Sequence, residues 1–363
     1  MGENHPMPTE EELEAARAQF PVLDRIAYLN AGSMGPLSRT TVDALRAELD
    51  RELRDGRTGG DYVDRVLELR VELRRRFGAL VAAGAEQVAL TSSTTDGCNV
   101  VLAGLDLGPD DEIVTTTDEH FGLLGPLHAS GARVLAVAPD PDLLVAAVTP
   151  KTRLLALSQV LWTTGAVLPV RELRERTGIP VLVDGAQSAG AIPVDAEGLD
   201  FLTISGQKWL CGPDSTGALV VRDPERLRIA RPSYFSQERH EPDGAFVPWP
   251  GARRFEHGWL SAGSMSGLVA ALYGRPGWAE EQAATMAERA RDLLVGAGQD
   301  VVVPRERATL VSWRAQGEDP AEVVQRLGER GVVVRSLPGR DLVRASVGWW
   351  TSEEDLDRLV AAL

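Results

Sequence analysis

The hydrophobic pattern changes character twice along this chain. Over 39–54 and 61–77, apolar positions recur at helical spacing, and Val63, Val66, Leu67, Leu73 and Phe77 fall on one face of the second stretch. Gly56 and the Gly59-Gly60 pair punctuate the gap. Ahead of them, Thr9-Glu10-Glu11-Glu12 reads as a capping box that opens a short helix ending at Phe20-Pro21. From about residue 86 short apolar runs take over, at 87–91, 112–116, 133–137, 154–158, 180–184, 201–205 and 217–221, alternating with helical stretches. Several of these runs are continuously apolar, as befits strands covered on both faces. The alternation predicts an open, largely parallel α/β sheet, which binds ligands at the carboxyl ends of its strands.

Residues 231–259, rich in Pro, Gly and aromatics, break the rhythm and read as a long functional loop. A helical pattern then runs to about 298. Strands near 308–313, 331–335 and 342–346 follow, alternating with helices near 319–329 and 352–363. The expected organisation is a large α/β domain over 20–261 and a smaller α+β domain over 262–363, joined by the N-terminal segment 1–19.

Composition narrows the class. A chain of 363 residues that is 44% hydrophobic can bury a sizeable core, which excludes disorder as the main state. A net charge of −15 argues against nucleic acid or an anionic membrane as partner. The acidic N-terminus is unlike a secretory leader, and no run approaches the roughly 20 apolar residues of a spanning helix. A cytoplasmic protein is expected. Cys98 and Cys211 have neither disulfide nor zinc spacing, and His240 and His257 read as too poorly partnered for a metal site, so none is expected. Arg74-Arg75-Arg76 reads as a solvated helix face.

The chemistry concentrates at the strand ends. Val181-Leu182-Val183-Asp184 closes an apolar strand on an acid, which is costly to bury without a cation or donor. Past the next strand, Ser205-Gly206-Gln207-Lys208 brings an amine to the same sheet edge. Taken singly, these are equally a strand-capping Asp and a solvated Lys. Together they suit pyridoxal phosphate: the amine condenses with the aldehyde and the carboxylate keeps the ring nitrogen protonated. A third element, Ser92-Ser93-Thr94-Thr95-Asp96-Gly97, opens an apolar helix with hydroxyls and free N–H groups, an anion cradle rather than only an N-cap.

With these residues in hand, the sequence resembles the class V aminotransferases among fold-type I pyridoxal-phosphate enzymes, a family that includes cysteine desulfurases, isopenicillin N epimerase-like proteins and C–S lyases. The resemblance runs from Phe20-Pro21-Val22-Leu23 and Tyr28-Leu29-Asn30-Ala31-Gly32-Ser33 to Arg344-Ala345-Ser346. It implies the fold-type I architecture, a large domain with a mainly parallel sheet plus a smaller C-terminal α+β domain, and a homodimer with active sites at the interface. Lys208 resembles the Schiff-base lysine, Asp184 the ring-nitrogen partner and Gln187 the donor to the phenolic oxygen. Ser93, Thr94, Thr95, Ser205 and Gln207 match phosphate-contacting positions. His120 is similar to the histidine that stacks on the ring, with Phe121 as rival. Arg344 matches the arginine that grips the substrate carboxylate, and Asn30 a substrate-side residue.

Three departures qualify the match. Val334-Arg335-Ser336-Leu337-Pro338-Gly339 lacks the nucleophilic cysteine of desulfurases. Trp162 stands where they place an asparagine. Trp259 stands where a threonine commonly reaches the neighbouring subunit, and Ser261 is the candidate to take over that contact. The expected function is a pyridoxal-phosphate enzyme on an amino-acid substrate, desulfurase-like in cleaving a C–S bond but by direct β-elimination. Epimerisation and transamination are the alternatives, and a catalytically silent cofactor-binding sensor is the non-enzymatic one.

Overall fold

The capping box forms as predicted: Glu12 accepts from the Thr9 amide while Thr9 Oγ1 accepts from the Glu12 amide, opening helix α1 (Glu10–Arg17). This is a computed structural model, which describes residues 7–363. After the short strand β1 (Ala27–Tyr28), α2 (Arg39–Asp55) is capped by Ser38. Helix α3 (Gly59–Leu80) buries Val66, Leu69, Leu73 and Phe77, the stripe its spacing dictates.

Next come β2 (Val88–Thr91), α4 (Thr94–Leu105), β3 (Glu112–Thr116), α5 (Phe121–Ala129), β4 (Arg133–Val137) and α6 (Pro141–Ala146). They are followed by β5 (Thr152–Ser158), α7 (Val170–Thr177), β6 (Val181–Asp184), β7 (Phe201–Ser205) and β8 (Gly217–Val221). These strands form one seven-stranded sheet in the order β2-β8-β7-β6-β5-β3-β4. Neighbours are parallel except at β8, which runs antiparallel to both β7 and β2. Strands β2, β3, β6, β7 and β8 are buried throughout, which accounts for apolar residues on both of their faces. Register aligns Ser158, Asp184 and Thr203 across three strands, so the carboxyl ends of β5 and β6 share one rim.

The 231–259 stretch carries a hairpin, β9 (Gln237–His240) with β10 (Phe246–Pro248). Buried Glu256 anchors its far end, paired with Arg70 at 2.6 Å and Arg74 at 2.7 Å. Arg74 is therefore not on a solvated face, and only Arg75 behaves as expected, exposed and paired with Glu72. The helical pattern to 298 divides at Arg275-Pro276 into α8 (Ala262–Gly274) and α9 (Ala279–Gly296). The proline holds Arg275 in an extended conformation, ψ 121°.

The remaining elements are β11 (Asp300–Val302), β12 (Leu310–Arg314), α10 (Pro320–Glu329), β13 (Val332–Val333), β14 (Arg335–Ser336), β15 (Leu342–Ser346) and α11 (Glu353–Ala362). A second, antiparallel sheet is ordered β11-β12-β15-β14. The single strand expected at 331–335 splits. Its first half, β13, leaves that sheet to pair in parallel with β1, and Asn30 bridges Ser346. The N-terminal segment is thereby stitched to the C-terminal sheet next to Arg344. No helix among the described residues is long and apolar enough to cross a membrane.

Candidate active site

Asp184 is the last residue of β6 and is buried, with its carboxylate accepting from the Ala186 amide at 2.9 Å. Burial pushes its pKa up, against the opposing pull of Lys208 and of the Ala186 N–H. Lys208 follows β7, and burial lowers its pKa to about 8; Asp184 opposes that shift, while Arg344 and Arg335 add to it. An amine in this state is neutral over a useful part of the physiological range, as a nucleophile and proton acceptor needs to be.

The cradle lies at the start of α4. Ser93 is the N-cap, its Oγ accepting from the Asp96 amide. The amides of Thr94 and Thr95 have no intrahelical acceptor by construction, and the helix dipole favours an anion there. Thr95 Oγ1 donates to the Gly122 carbonyl at 2.9 Å, which ties the cradle to the start of α5. Ser205 Oγ donates to Gln207 Oε1 at 2.8 Å. The cradle is braced from behind, since Asp96 accepts from both Ser92 N and Oγ and lies 2.7 Å from His257 Nε2. His257, expected to be poorly partnered, thus has a firm one.

His120 caps α5 through Nδ1, which accepts from the Gly122 amide at 3.0 Å. Burial, reinforced by the charges of Lys208, Arg335 and Arg344, lowers its pKa to about 4. The ring is neutral at pH 7. Phe121 packs 3.8 Å from it, centroid to centroid, but is 62% exposed. The buried edge of His120 instead meets Trp162 at 5.1 Å. Beneath it, Glu119 accepts from Ser158 and Thr116. Burial pushes that carboxyl up to about 7.

Gln187 donates to the Gly32 carbonyl at 2.9 Å and accepts from the Trp209 indole at 3.1 Å, leaving one amide hydrogen for a ligand. Arg344, on β15, is fully buried and donates through Nη1 to the Trp162 carbonyl at 2.7 Å. Its Nε and Nη2 have no hydrogen-bond partner among the described residues. Glycine at position 32 lets Arg344 close in, since a Cβ there would lie 2.7 Å from Arg344 Nη2 and 2.8 Å from Ser346 Oγ. Asn30 Oδ1 accepts from Ser33 Oγ at 2.8 Å, and Ser33 Oγ accepts in turn from Arg335 Nη1 at 3.0 Å.

This donor set fits pyridoxal phosphate: an amine of lowered pKa beside a buried carboxylate, an anion cradle at a helix N-terminus and a flat neutral imidazole. The sequence profile described as Aminotransferase class-V matches residues 27–359. The chain belongs to the class V aminotransferase family. It is a pyridoxal-phosphate enzyme. It is 30% identical to isopenicillin N epimerase of Streptomyces clavuligerus, over 96% of this chain and 97% of that one. It is 28% identical to a cysteine desulfurase of Serratia proteamaculans, over 97% of each. Among solved structures it is similar to a variant of C-DES with glycine covalently linked to the cofactor, at TM-score 0.89 and 26% identity over 95% and 98% of the two chains. The cystine C–S lyase C-DES in complex with cysteine persulfide matches at TM-score 0.87 and 27% identity, over 94% and 98%.

Sequence reasoning passed over Arg335, quoted only as part of a loop without cysteine. The signal was present: strands either side of a turn centred near Gly339, paired antiparallel, set Arg335 opposite Arg344. Asp118 was also missed. It holds Arg340 of that turn at 2.7 Å and pins the turn over the segment leading to His120.

Proposed function

We propose that this enzyme cleaves the C–S bond of a sulfur-bearing α-amino acid by direct β-elimination. Lys208 is assigned to condense with the cofactor aldehyde and to carry the proton, and Asp184 to hold the ring nitrogen charged. Ser93, Thr94, Thr95, Ser205 and Gln207 hold the phosphate, Gln187 faces the phenolic oxygen and His120 covers the ring. When bound, pyridoxal phosphate supplies the sink for the electron pair released at the substrate α-carbon. Arg344 grips the α-carboxylate with the two nitrogens that have no protein partner, a bidentate task suited to a planar guanidinium. Asn30 lines the same side through Ser33. Lys208 Nζ removes the α-proton; the Cβ–S bond then breaks, sulfur leaves with its electron pair, and the released enamine hydrolyses to a keto acid and ammonia.

The state of the cysteines carries the choice of direct elimination. A persulfide route needs a thiolate on a segment that can reach substrate sulfur. Cys98 and Cys211 are both buried, and burial pushes both thiols well up. The turn between β14 and β15 has no cysteine and is held by Arg340 on Asp118. Epimerisation is the second reading, favoured by the full-length likeness to isopenicillin N epimerase. Assay of purified enzyme for keto acid, sulfide and inverted amino acid separates the two.

The homodimer belongs to the same proposal. Tyr234 and Trp259 are 64% and 54% exposed, with Phe235 packed against Trp259 in a tilted arrangement, ring centroids 4.8 Å apart. Such a contiguous aromatic surface supports a partner subunit at the loop beside the cradle. Ser261, whose Oγ caps α8 by accepting from the Ser264 amide, keeps its hydroxyl hydrogen for a contact across such an interface. Sedimentation of the enzyme and of Trp259→Ser tests this assembly.

A further inference from the structure

Asp96 sets an electrostatic conflict at the start of α4. An acid in the first turn of a helix is favoured by the positive end of the helix dipole, and a phosphate held at that end draws on the same field. The two anions oppose each other. Asp96 is the third residue of α4 and only 14% exposed, and both of its carboxylate oxygens are committed. Oδ2 accepts from Ser92 N at 3.0 Å and Ser92 Oγ at 3.1 Å, which fixes the turn leading into the cradle. Oδ1 lies 2.7 Å from His257 Nε2 and accepts from Arg231 Nη1 at 3.4 Å. Burial raises the Asp96 pKa, but His257 and Ser92 outweigh it and hold the carboxyl below its ordinary value.

His257 and Arg231 both come from the long loop 231–259, which is fixed where His257 sits. Glu256, the residue before it, is buried between Arg70 and Arg74. The same carboxylate accepts from the Leu90 amide at 3.3 Å, in the strand that runs into the cradle. Gly258, the residue after, accepts through its carbonyl from Arg70 Nη2 at 2.9 Å. His257 is thus held from α3 on both sides, and its contact with Asp96 needs little further ordering. Arg231 is 48% exposed and more distant, the weaker of the two holds.

We infer that His257, assisted by Arg231, is a positioning residue for the cofactor phosphate: it fixes Asp96 on Ser92 and the pair offsets the Asp96 charge, so that the first turn of α4 takes an anion although it already carries one. This rests on the reading of Ser93, Thr94 and Thr95 as the phosphate site. Neither His257 nor Arg231 is assigned a contact with the phosphate itself. Loss of His257 should therefore weaken the phosphorylated cofactor and spare its unphosphorylated form. Removing the Asp96 charge as well should cancel that loss.

Titration of cofactor-free enzyme with pyridoxal phosphate and with pyridoxal, followed by absorbance, tests this without turnover. Both aldehydes can condense with Lys208, so the preference for the first over the second isolates the phosphate. His257→Ala should lower that preference about tenfold, the worth of a polar contact to a charged group, with pyridoxal affinity nearly unchanged. Arg231→Gln should lower it about two- to threefold. Asp96→Asn added to His257→Ala should recover most of the loss, because the amide leaves no charge to offset. An unchanged preference in His257→Ala overturns the inference. So does an equal loss on both aldehydes, or a double variant that falls further still, the outcomes of a merely structural role. Should the double variant fail to fold, the two single variants decide alone. The phosphate-site reading falls by a different result, a wild type that binds the two aldehydes equally well.

Discussion

Arg344 donates one guanidinium N–H to the main-chain carbonyl of Trp162 at 2.7 Å and keeps two buried nitrogens without a partner among the described residues. Unsatisfied buried donors are costly unless a ligand completes them. Those two donors are the ones proposed to grip the substrate carboxylate. Replacing Arg344 by Lys keeps the charge but loses the fork. KM should rise about ten- to a hundredfold, the worth of one or two charged hydrogen bonds. An α-carboxamide substrate should bind the wild type poorly and lose little more in the variant. Equal loss for acid and amide in steady-state kinetics would contradict the assignment.

Asp184 offers a sharper test of electrostatics. Asp184→Asn keeps the shape of the strand end but removes the charge proposed to hold the ring nitrogen. Turnover should fall by about 10²–10³, as when a preorganised charge is removed from a transition state. Circular dichroism should show an unchanged fold. Wild-type turnover in this variant would mean that the ring nitrogen is held by another group.

The lowered pKa of Lys208 has a kinetic signature. Uptake of pyridoxal phosphate by cofactor-free enzyme requires the neutral amine, so its rate should climb with pH and level off above about 8, well below the range of an ordinary lysine. Arg344→Gln removes a like charge, which favours the protonated amine and moves the midpoint upward. Stopped-flow absorbance over pH 6–11 reads both, and a midpoint that stays put in the variant would remove Arg344 from the field at Lys208.

Glu256 is predicted to matter for stability rather than chemistry. It meets Arg70, Arg74 and the Leu90 amide in the interior. Glu256→Gln leaves two buried guanidinium groups without a countercharge, which costs about 3–5 kcal/mol. Thermal unfolding should shift down by several degrees, and an unchanged midpoint would show the cluster to be solvated.

Much of this was legible in the chain. The seven strand positions, the cradle and the Asp184–Lys208 spacing follow from apolar runs ending in polar residues, because buried parallel strands leave nowhere else for polar groups to go. What periodicity hides is pairing between distant elements. Arg74 reads as one of three surface arginines until Glu256 is brought to it from the far side of the loop. His257 reads as isolated until Asp96 meets it at 2.7 Å. The break at Pro276 lay in the sequence but was overridden by the helical pattern either side. The diversion of β13 toward β1 had no local signal, since both strands are two residues long.

Cys211 bears on the route taken by sulfur. It lies three residues beyond Lys208 in a left-handed conformation, φ 55°, buried in the segment that the lysine anchors. Cys211→Ser should retain most activity, and intact-mass measurement after turnover should find no added sulfur on the chain. A persulfide on Cys211 together with loss of activity in the serine variant would restore a desulfurase mechanism.

The most direct test of the account is product analysis in D2O. Purified holoenzyme is incubated with cystine and other sulfur-bearing α-amino acids, and keto acid, ammonia, released sulfur compound and recovered amino acid are quantified together. Direct β-elimination predicts keto acid, ammonia and the sulfur-containing product in equal amounts, with no sulfur retained on the protein. Recovery of deuterated, stereochemically inverted amino acid with no keto acid would contradict it and assign the enzyme to epimerisation.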